Sequence, residues 1–409
     1  MKIAYISQWW PPEPATIVAS LAGELARRGH GIEVVTGFPN YPSGVIYPGY
    51  SIRWRNVDGS PTFRTTRVPL YPSHDSSGAR RALNYLSFGL AASTVGLVSV
   101  LRADVAYVYH PPLTSAWLAR LLRRLRGVPF VLHVQDLWPD SVTNSGILGQ
   151  TRISKLAVRA LSRMALRTYR AASHIVVISP GFKSRLVSLG VSADKITVVL
   201  NWADEALFFP ADVDPAARAE LGPLGDRVVL YAGNLGRFQN LDMVIRAMAA
   251  LTPDAGLHLA IMGDGLERSE LERLVDEMQV SNVSFLHPRS AHDSVRIQAA
   301  ADVHLVSLSD EEFCSLTIPG KTQVALAMGK PLLMAVRGDA AELVEQSCSG
   351  IVCLPELDAL TSALQQVADM SEFELDRLGE QGRDFYVDHL SINRAGNQFE
   401  SILSGSADR

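Results

Sequence analysis

Ile3-Ala4-Tyr5-Ile6-Ser7, a proline-rich loop from Gln8 to Thr16, a helical pattern from Ile17 to Arg28 and a second apolar run, Ile32-Glu33-Val34-Val35-Thr36, open the chain. Read in order they are strand, loop, helix, strand. A strand that returns through a helix to a second strand is a βαβ unit, which builds a parallel sheet with right-handed crossovers. The same alternation continues with strand candidates at Val105–Tyr109, Phe130–Val134 and His174–Ile178, separated by helical segments such as Leu113–Leu125 and Ser154–Arg170. After residue 200 it restarts: Arg227–Ala232, Leu257–Met262, Val283–Leu286, Val303–Val306 and Pro331–Ala335 are apolar runs, each followed by a glycine-containing turn or a helical pattern.

The chain therefore reads as two parallel-sheet α/β domains in tandem, joined near Gly190–Pro210, where Val198-Val199-Leu200-Asn201-Trp202-Ala203-Asp204 leads out of a strand. The expected division is 1–195, 196–385, and a last helical segment, 386–409, that packs back on the first domain. Ligands of such sheets bind beyond the carboxyl ends of the strands, so a cleft between the domains is the expected site.

The length agrees: 409 residues correspond to two domains. Composition is that of a folded globular chain, with 47% hydrophobic and 20% charged residues and no low-complexity tract. The net charge of −4 hides an asymmetry. Residues 1–200 hold 23 Lys+Arg against 9 Asp+Glu, and the remainder 15 against 33. A basic first half points to a polyanion, either nucleic acid or an anionic membrane. Cys314, Cys348 and Cys353 are odd in number and lack metal-site spacing, which argues against a disulfide framework and for the cytoplasm. Met1-Lys2-Ile3-Ala4-Tyr5-Ile6 runs straight into a strand-like segment, so a secretory signal is not expected.

Two segments bear on a membrane. Ala82–Leu101 has no charged residue, is flanked by Arg80-Arg81 and Arg102, and has about the length of a span. Asn84, Tyr85, serines and glycines dilute it, so a membrane-facing or half-inserted helix ranks above a buried core helix, and a true span ranks last. In Ser154–Arg170, Lys155, Arg159, Arg163, Arg167 and Arg170 recur every three or four residues along one face, which is either a membrane-facing stripe or a solvated surface.

Three turns of the second half have the chemistry of anion sites. Gly233-Asn234-Leu235-Gly236-Arg237 follows one strand, Gly263-Asp264-Gly265 the next, and Pro319-Gly320-Lys321 opens the helix Lys321–Met328. Glycines let backbone N–H groups approach a phosphate, and a helix N-terminus adds partial positive charge. Each alone is a tight turn as readily as a site; three together fit a nucleoside diphosphate, and the lack of G-x-G-x-x-G argues against a dinucleotide. In the first half, the wall Trp9-Trp10-Pro11-Pro12-Glu13-Pro14 and the strand ends Tyr109-His110-Pro111-Pro112 and His133-Val134-Gln135-Asp136-Leu137-Trp138-Pro139-Asp140 face the same way. His133 and Asp136 are able to orient or exchange protons with a sugar hydroxyl, and Trp138 to stack on a ring. His133 is equally read as a hydrogen-bonded histidine inside the sheet.

These residues, with Arg28-Gly29-His30, Ile178-Ser179-Pro180-Gly181, Gly190-Val191, Lys195-Ile196 and Ala327-Met328-Gly329-Lys330-Pro331, resemble the retaining glycosyltransferases of family 4, which have the GT-B architecture of two facing Rossmann-like domains. Pro12-Glu13, Gly37-Phe38-Pro39-Asn40-Tyr41-Pro42, Asp136-Leu137-Trp138-Pro139 and Pro319-Gly320-Lys321 are similar to the WbuB-like group, associated with O-antigen or capsule assembly and N-acetylfucosamine-type sugars. The resemblance implies a nucleotide diphosphate-sugar donor, UDP-linked, a polyprenyl-diphosphate-linked saccharide acceptor, and work at the inner face of the cytoplasmic membrane. It implies no metal, no cofactor and no nucleic acid. Glu13, His133 and Asp136 are the implied catalytic residues; Gly233, Asn234, Gly236, Arg237, Gln239, Gly263, Asp264, Gly265, Lys321, Gly338 and Glu342 are the implied donor-binding set. The chain departs from the pattern at the family's glutamate pair, whose places fall on Leu316 and Val324, and at its diphosphate cations, whose places fall on Asn234 and Gln239. Lys321 and Arg237 are the expected substitutes for the cations, and Asp310, Glu311 and Glu312 for a carboxylate. The rival readings are a nonhydrolysing sugar-nucleotide epimerase and a noncatalytic scaffold.

Overall fold

The computed structural model describes residues 1–59, 62–73, 77–138, 152–223, 225–252 and 255–408, with backbone alone at 152–155 and 291. It divides into two units, Met1–Leu200 together with Ile392–Arg409, and Asn201–Ser391.

The first unit is built on an eight-stranded sheet of order β3-β4-β2-β1-β5-β6-β7-β8. The strands are β1 (Lys2–Ile6), β2 (Gly31–Gly37), β3 (Asn56–Gly59), β4 (Phe63–Val68), β5 (Val105–His110), β6 (Phe130–Val134), β7 (His174–Val177) and β8 (Ile196–Val198). All neighbours are parallel except β3 and β4. In register, Ile3 of β1 lies between Ile32 and Val105. The central strands are largely apolar because helices cover both faces.

Helix α1 (Thr16–Arg27) buries Val18, Leu21, Ala22 and Leu25, the 3.6-residue stripe that seats it on the sheet. Helix α2 (Gly78–Val100) contains one wider π-type turn at Ala92–Gly96. It also resolves the uncharged stretch of the sequence. Asn84 is buried, takes a hydrogen bond from Gln8 Nε2 at 2.5 Å and donates to the Tyr71 carbonyl at 2.7 Å. A Cβ on Gly89 would meet Thr114 at 2.8 Å, and one on Gly96 would meet Val35 at 2.6 Å. This face lies against protein, whereas Leu83, Leu86, Leu90 and Val98 remain exposed on the other. Helices α3 (Ala116–Arg126) and α4 (Arg152–Ala171) carry the chain from β5 to β6 and from β6 to β7.

The second unit has a six-stranded, fully parallel sheet of order β11-β10-β9-β12-β13-β14, formed by Arg227–Ala232 (β9), Leu257–Met262 (β10), Val283–Leu286 (β11), Val303–Ser307 (β12), Leu332–Ala335 (β13) and Gly350–Cys353 (β14). Helix α5 (Leu241–Ala249) presses Leu241, Val244, Ile245 and Met248 into a core shared with Val229, Tyr231, Leu259 and Ile261. Helix α6 (Gly320–Met328) enters after Pro319 and stops at left-handed Gly329, φ 67°. Helix α7 (Ile392–Ala407) belongs to the first unit: Phe399 is fully buried against Tyr107 and His133. Arg28 holds it from outside by an ion pair to Glu400 at 3.0 Å, and His30 Nε2 by a hydrogen bond to the same carboxylate at 2.8 Å.

Candidate functional site

The glycine turns after β9 and β10 are packed backbone on backbone. Gly263, at φ 156°, has no room for a side chain, since a Cβ would stand 1.8 Å from the Gly233 carbonyl oxygen; one on Gly265 would stand 2.1 Å from that of Leu235. Leu235 N–H donates to the Asp264 carbonyl at 2.8 Å and Glu267 N–H to that of Leu235 at 3.1 Å, so the two turns form one shelf. Above it opens a pocket of about 390 Å³, lined by Gly233, Asn234, Gly263, Asp264, Arg289, Ser294, Gln298, Lys321 and Val324 among others.

Lys321 dominates its electrostatics. The residue lies at the start of α6, is partly exposed through the pocket, and holds its ammonium 3.6 Å from the centre of the Tyr231 ring and 3.2 Å from where a Gly233 Cβ would be. No carboxylate pairs with it among the described residues, and loss of hydration pushes its pKa down to about 7. The quadrupole of Tyr231 offsets only part of that loss. A cation held in this way is stabilised when an anion arrives.

The other expected donor residues separate. Asn234 Nδ2 donates to Gln239 Oε1 at 3.4 Å, and that oxygen also takes the Gly236 N–H at 3.2 Å, so these two hold the turn's shape. Arg237 is 80% exposed, lies outside the pocket lining and pairs with Glu311 at 3.3 Å. Asp310 pairs with Arg337 at 2.7 Å. Asp310, Glu311 and Glu312 are absent from the pocket wall, whereas Val324 is part of it. Gly338, at φ 74° and with a would-be Cβ 2.1 Å from the Ser315 carbonyl, precedes the helix Asp339–Ser347 that carries exposed Glu342; neither lines this pocket. Ser294 and Gln298, on the helix after β11, do line it. Nothing in the sequence pattern marked them, because a serine and a glutamine four apart are ordinary helix surface.

In the first unit two of the implied catalytic residues, His133 and Glu13, have their polar atoms held by neighbours. His133 has no exposed surface; its Nδ1 lies 2.7 Å from the Tyr107 hydroxyl and its Nε2 2.7 Å from Gln135 Nε2. With Gln135 donating, the ring's one proton sits on Nδ1, an assignment that follows from the partners. Burial pushes its pKa down to about 3. Of its two readings, the structure places His133 as the hydrogen-bonded histidine of the sheet, not as a group offered to a sugar hydroxyl. Glu13 is likewise buried, accepting from the N–H groups of Trp10 at 3.1 Å, Asn40 at 2.8 Å and Tyr41 at 2.9 Å. Desolvation raises its pKa, against the pull of those donors and Arg67. It ties the proline-rich loop to the loop after β2. Asp136 is half-buried just beyond β6. Trp138 stands edge-on to His110, with centroids 5.7 Å apart, and tilted to Tyr85 at 5.8 Å, which makes an aromatic wall. Pro139 and Asp140 lie outside the described residues, as does the Lys155 side chain. No group of three or more metal-ligating side chains occurs among the described residues.

Two α/β units on largely parallel sheets, with a cation-bearing pocket past one sheet's carboxyl edge, have the architecture of the GT-B class. Comparison with known proteins gives the family. Residues 13–202 match the glycosyl transferase 4-like domain and residues 226–370 the glycosyl transferases group 1 domain. The chain is 30% identical over 384 residues to WcaI of Escherichia coli (strain K12), named as a colanic acid biosynthesis glycosyl transferase, with 90% of this chain and 92% of that protein covered. It is 25% identical over 312 residues to WbjE of Pseudomonas aeruginosa, named as a glycosyltransferase, with 75% and 76% covered. In fold it matches Anabaena Alr3699/HepE in complex with UDP, with TM-score 0.71, 17% identity, and 99% and 100% coverage. The chain belongs to the glycosyltransferase family of WcaI, with the GT-B fold.

Proposed function

We propose that the protein is a retaining glycosyltransferase that takes a sugar, of the N-acetylated amino-deoxy class, from a UDP-linked donor. The acceptor is a polyprenyl-diphosphate-linked saccharide at the inner face of the cytoplasmic membrane, in cell-surface polysaccharide assembly. The observation that carries the reading is Lys321: a largely desolvated ammonium with no carboxylate partner among the described residues, beside a glycine shelf. The names of WcaI and of HepE in complex with UDP support polysaccharide synthesis and the nucleotide.

Transfer with retention passes through an oxocarbenium-like state as the bond to the diphosphate breaks, so positive charge is most useful where the leaving phosphate gains negative charge. In this reading Lys321 supplies that charge, while the glycine shelf lets the phosphates come close to it. The exposed apolar side chains of α2 and the exposed Arg159, Arg163, Arg167 and Arg170 of α4 suit a peripheral membrane contact.

The test is binding followed by turnover. A ligand at a hundred times its Kd adds about 2.7 kcal/mol to stability. UDP and UDP-sugars should therefore raise the melting temperature of the wild type by several degrees, and TDP and GDP by less. Turnover of a UDP-sugar on a lipid-diphosphate acceptor should give a product with the donor's anomeric configuration by NMR, with or without EDTA. An inverted product rejects the mechanism, and nucleotide binding without turnover on any lipid-linked acceptor favours the scaffold.

A further inference from the structure

A second cavity of about 450 Å³ lies in the first unit, lined by Arg120, Arg123, Arg124 and Arg170 together with Ala171. The first three come from the last turns of α3 and the fourth from the end of α4. These helix ends lead into the amino-terminal ends of β6 and β7. The cavity is thus at the opposite end of the sheet from the strand ends that carry His110 and Asp136.

Cations at helix C-termini usually serve the orphan carbonyls, and here that duty is assigned. Arg123 donates to the Ala171 carbonyl, and Lys195 Nζ to those of Arg170 at 3.2 Å and Ala172 at 3.0 Å. Arg120 reaches only the Thr168 hydroxyl, at 3.5 Å. None of the four guanidinium groups has a carboxylate partner among the described residues, and no carboxylate lines the cavity. With Arg123 engaged on that carbonyl and Arg120 on the hydroxyl, the forks of Arg124 and Arg170 are left without a hydrogen bond among the described residues, and two guanidinium forks beside two further cations on one concavity suit the oxygens of a phosphate group. The exposed stripe Arg159, Arg163, Arg167 and Arg170 of α4 runs into it.

We propose that this cavity is a phosphate-binding site, and that its occupant is the headgroup phosphate of an anionic phospholipid, seated while α4 lies along the bilayer surface. The inference rests on the membrane reading given above and adds to it a defined headgroup site. Two double variants with the same charge change separate the two. Arg124→Gln/Arg170→Gln removes the two unengaged forks from the cavity; Arg159→Gln/Arg163→Gln removes two cations from the same surface outside it. Retention of the melting temperature shows that both fold.

Sedimentation with phosphatidylcholine vesicles containing phosphatidylglycerol should show the cavity variant weaker by about tenfold more than the stripe variant, because a fork-to-phosphate contact adds to general attraction. Inorganic pyrophosphate, at an ionic strength matched with NaCl, should displace the wild type and the stripe variant but not the residual binding of the cavity variant. Arg124→Lys/Arg170→Lys, which keeps the charge but not the fork, should behave like the Gln pair. Equal losses in the two Gln variants overturn the headgroup site and leave the membrane reading standing. Absence of wild-type binding to any anionic vesicle overturns the membrane reading. Pyrophosphate binding by calorimetry in that case, lost in the cavity variant, overturns the lipid occupant while leaving an anion site.

Discussion

His133 in the first unit and Lys321 in the second both lose hydration, the first wholly and the second in large part, and this moves both pKa values downward, to about 3 and about 7. What differs is company. His133 is neutral, with a hydroxyl on one ring nitrogen and an amide on the other, and Phe399 against its face. Lys321 has the ring of Tyr231 and a turn of bare backbone. A buried polar group with a complete set of partners serves the fold, while one that lacks them and faces a pocket is a place where a ligand completes the set.

The largest expected effect tests the second half of that contrast. Lys321→Ala should lower kcat by roughly a hundred- to a thousandfold, with a smaller rise in donor KM, because its contact strengthens as the leaving diphosphate gains charge. Without nucleotide, Lys321→Met should melt higher than the wild type, because an uncompensated charge is gone. The pH dependence has a definite sign. Between about 7 and the ordinary lysine value of 10.5 the unfolded chain holds a proton that the folded one has released, so wild-type stability without ligand rises with pH in that window. UDP binding has to restore the proton, so affinity should fall as pH climbs from 7 to 9, with a buffer-dependent heat in calorimetry. A pH-independent affinity would break the comparison.

Next in size is His133→Ala, which strands the Tyr107 hydroxyl and opens a hole beside Phe399; a loss of about 2–4 kcal/mol of stability is expected in urea titration. His133 is neutral in the fold below the pH at which an unfolded histidine gains its proton. Wild-type stability therefore declines as pH drops from about 6.5 toward 3, and the variant's decline should be shallower. The acid limb of the kcat profile should keep its shape in His133→Gln. If that limb vanished, the ring would belong to the chemistry.

Glu13→Gln should cost less, about 1–3 kcal/mol, since one oxygen still accepts while the other becomes an NH2 facing N–H donors. Full stability with lost turnover would instead return Glu13 to a catalytic role. The smallest effect is expected of Arg237→Ala. It loses an exposed pair with Glu311, so donor KM should stay within about twofold. A collapse of kcat there, with Lys321→Ala near normal, would move the diphosphate cation to the first glycine turn.

The contrast also measures what was legible in the sequence. The buried parallel strands show as continuous apolar runs because both faces are covered: Phe130–Val134, Arg227–Ala232 and Leu257–Met262 have the same limits in sequence and structure. β3, with Val57, Asp58 and Gly59 exposed at the edge of the first sheet, has no such run, and β14 is four half-buried residues at an edge of the second. Asn84 reads as a dilution of an apolar helix until the Gln8 and Tyr71 partners appear. Lys321 was readable from its turn and helix start. His133 and Glu13 were not, because one partner of each is distant in the chain: Tyr107 stands 26 residues from His133, and Asn40 stands 27 from Glu13.

Helix α7 sets an order of assembly. The slot beside Tyr107 and His133 is filled by Phe399, which is synthesised after the whole of the second unit. At 5–20 residues per second, the roughly 190 intervening residues take about 10–40 s to make. During that time the first sheet waits with an apolar groove open to solvent and to chaperones, and the second unit is finished while the first is still unsealed. A chain ending at Ser391 would thus leave the older half of the protein, not the younger, with its apolar groove uncovered.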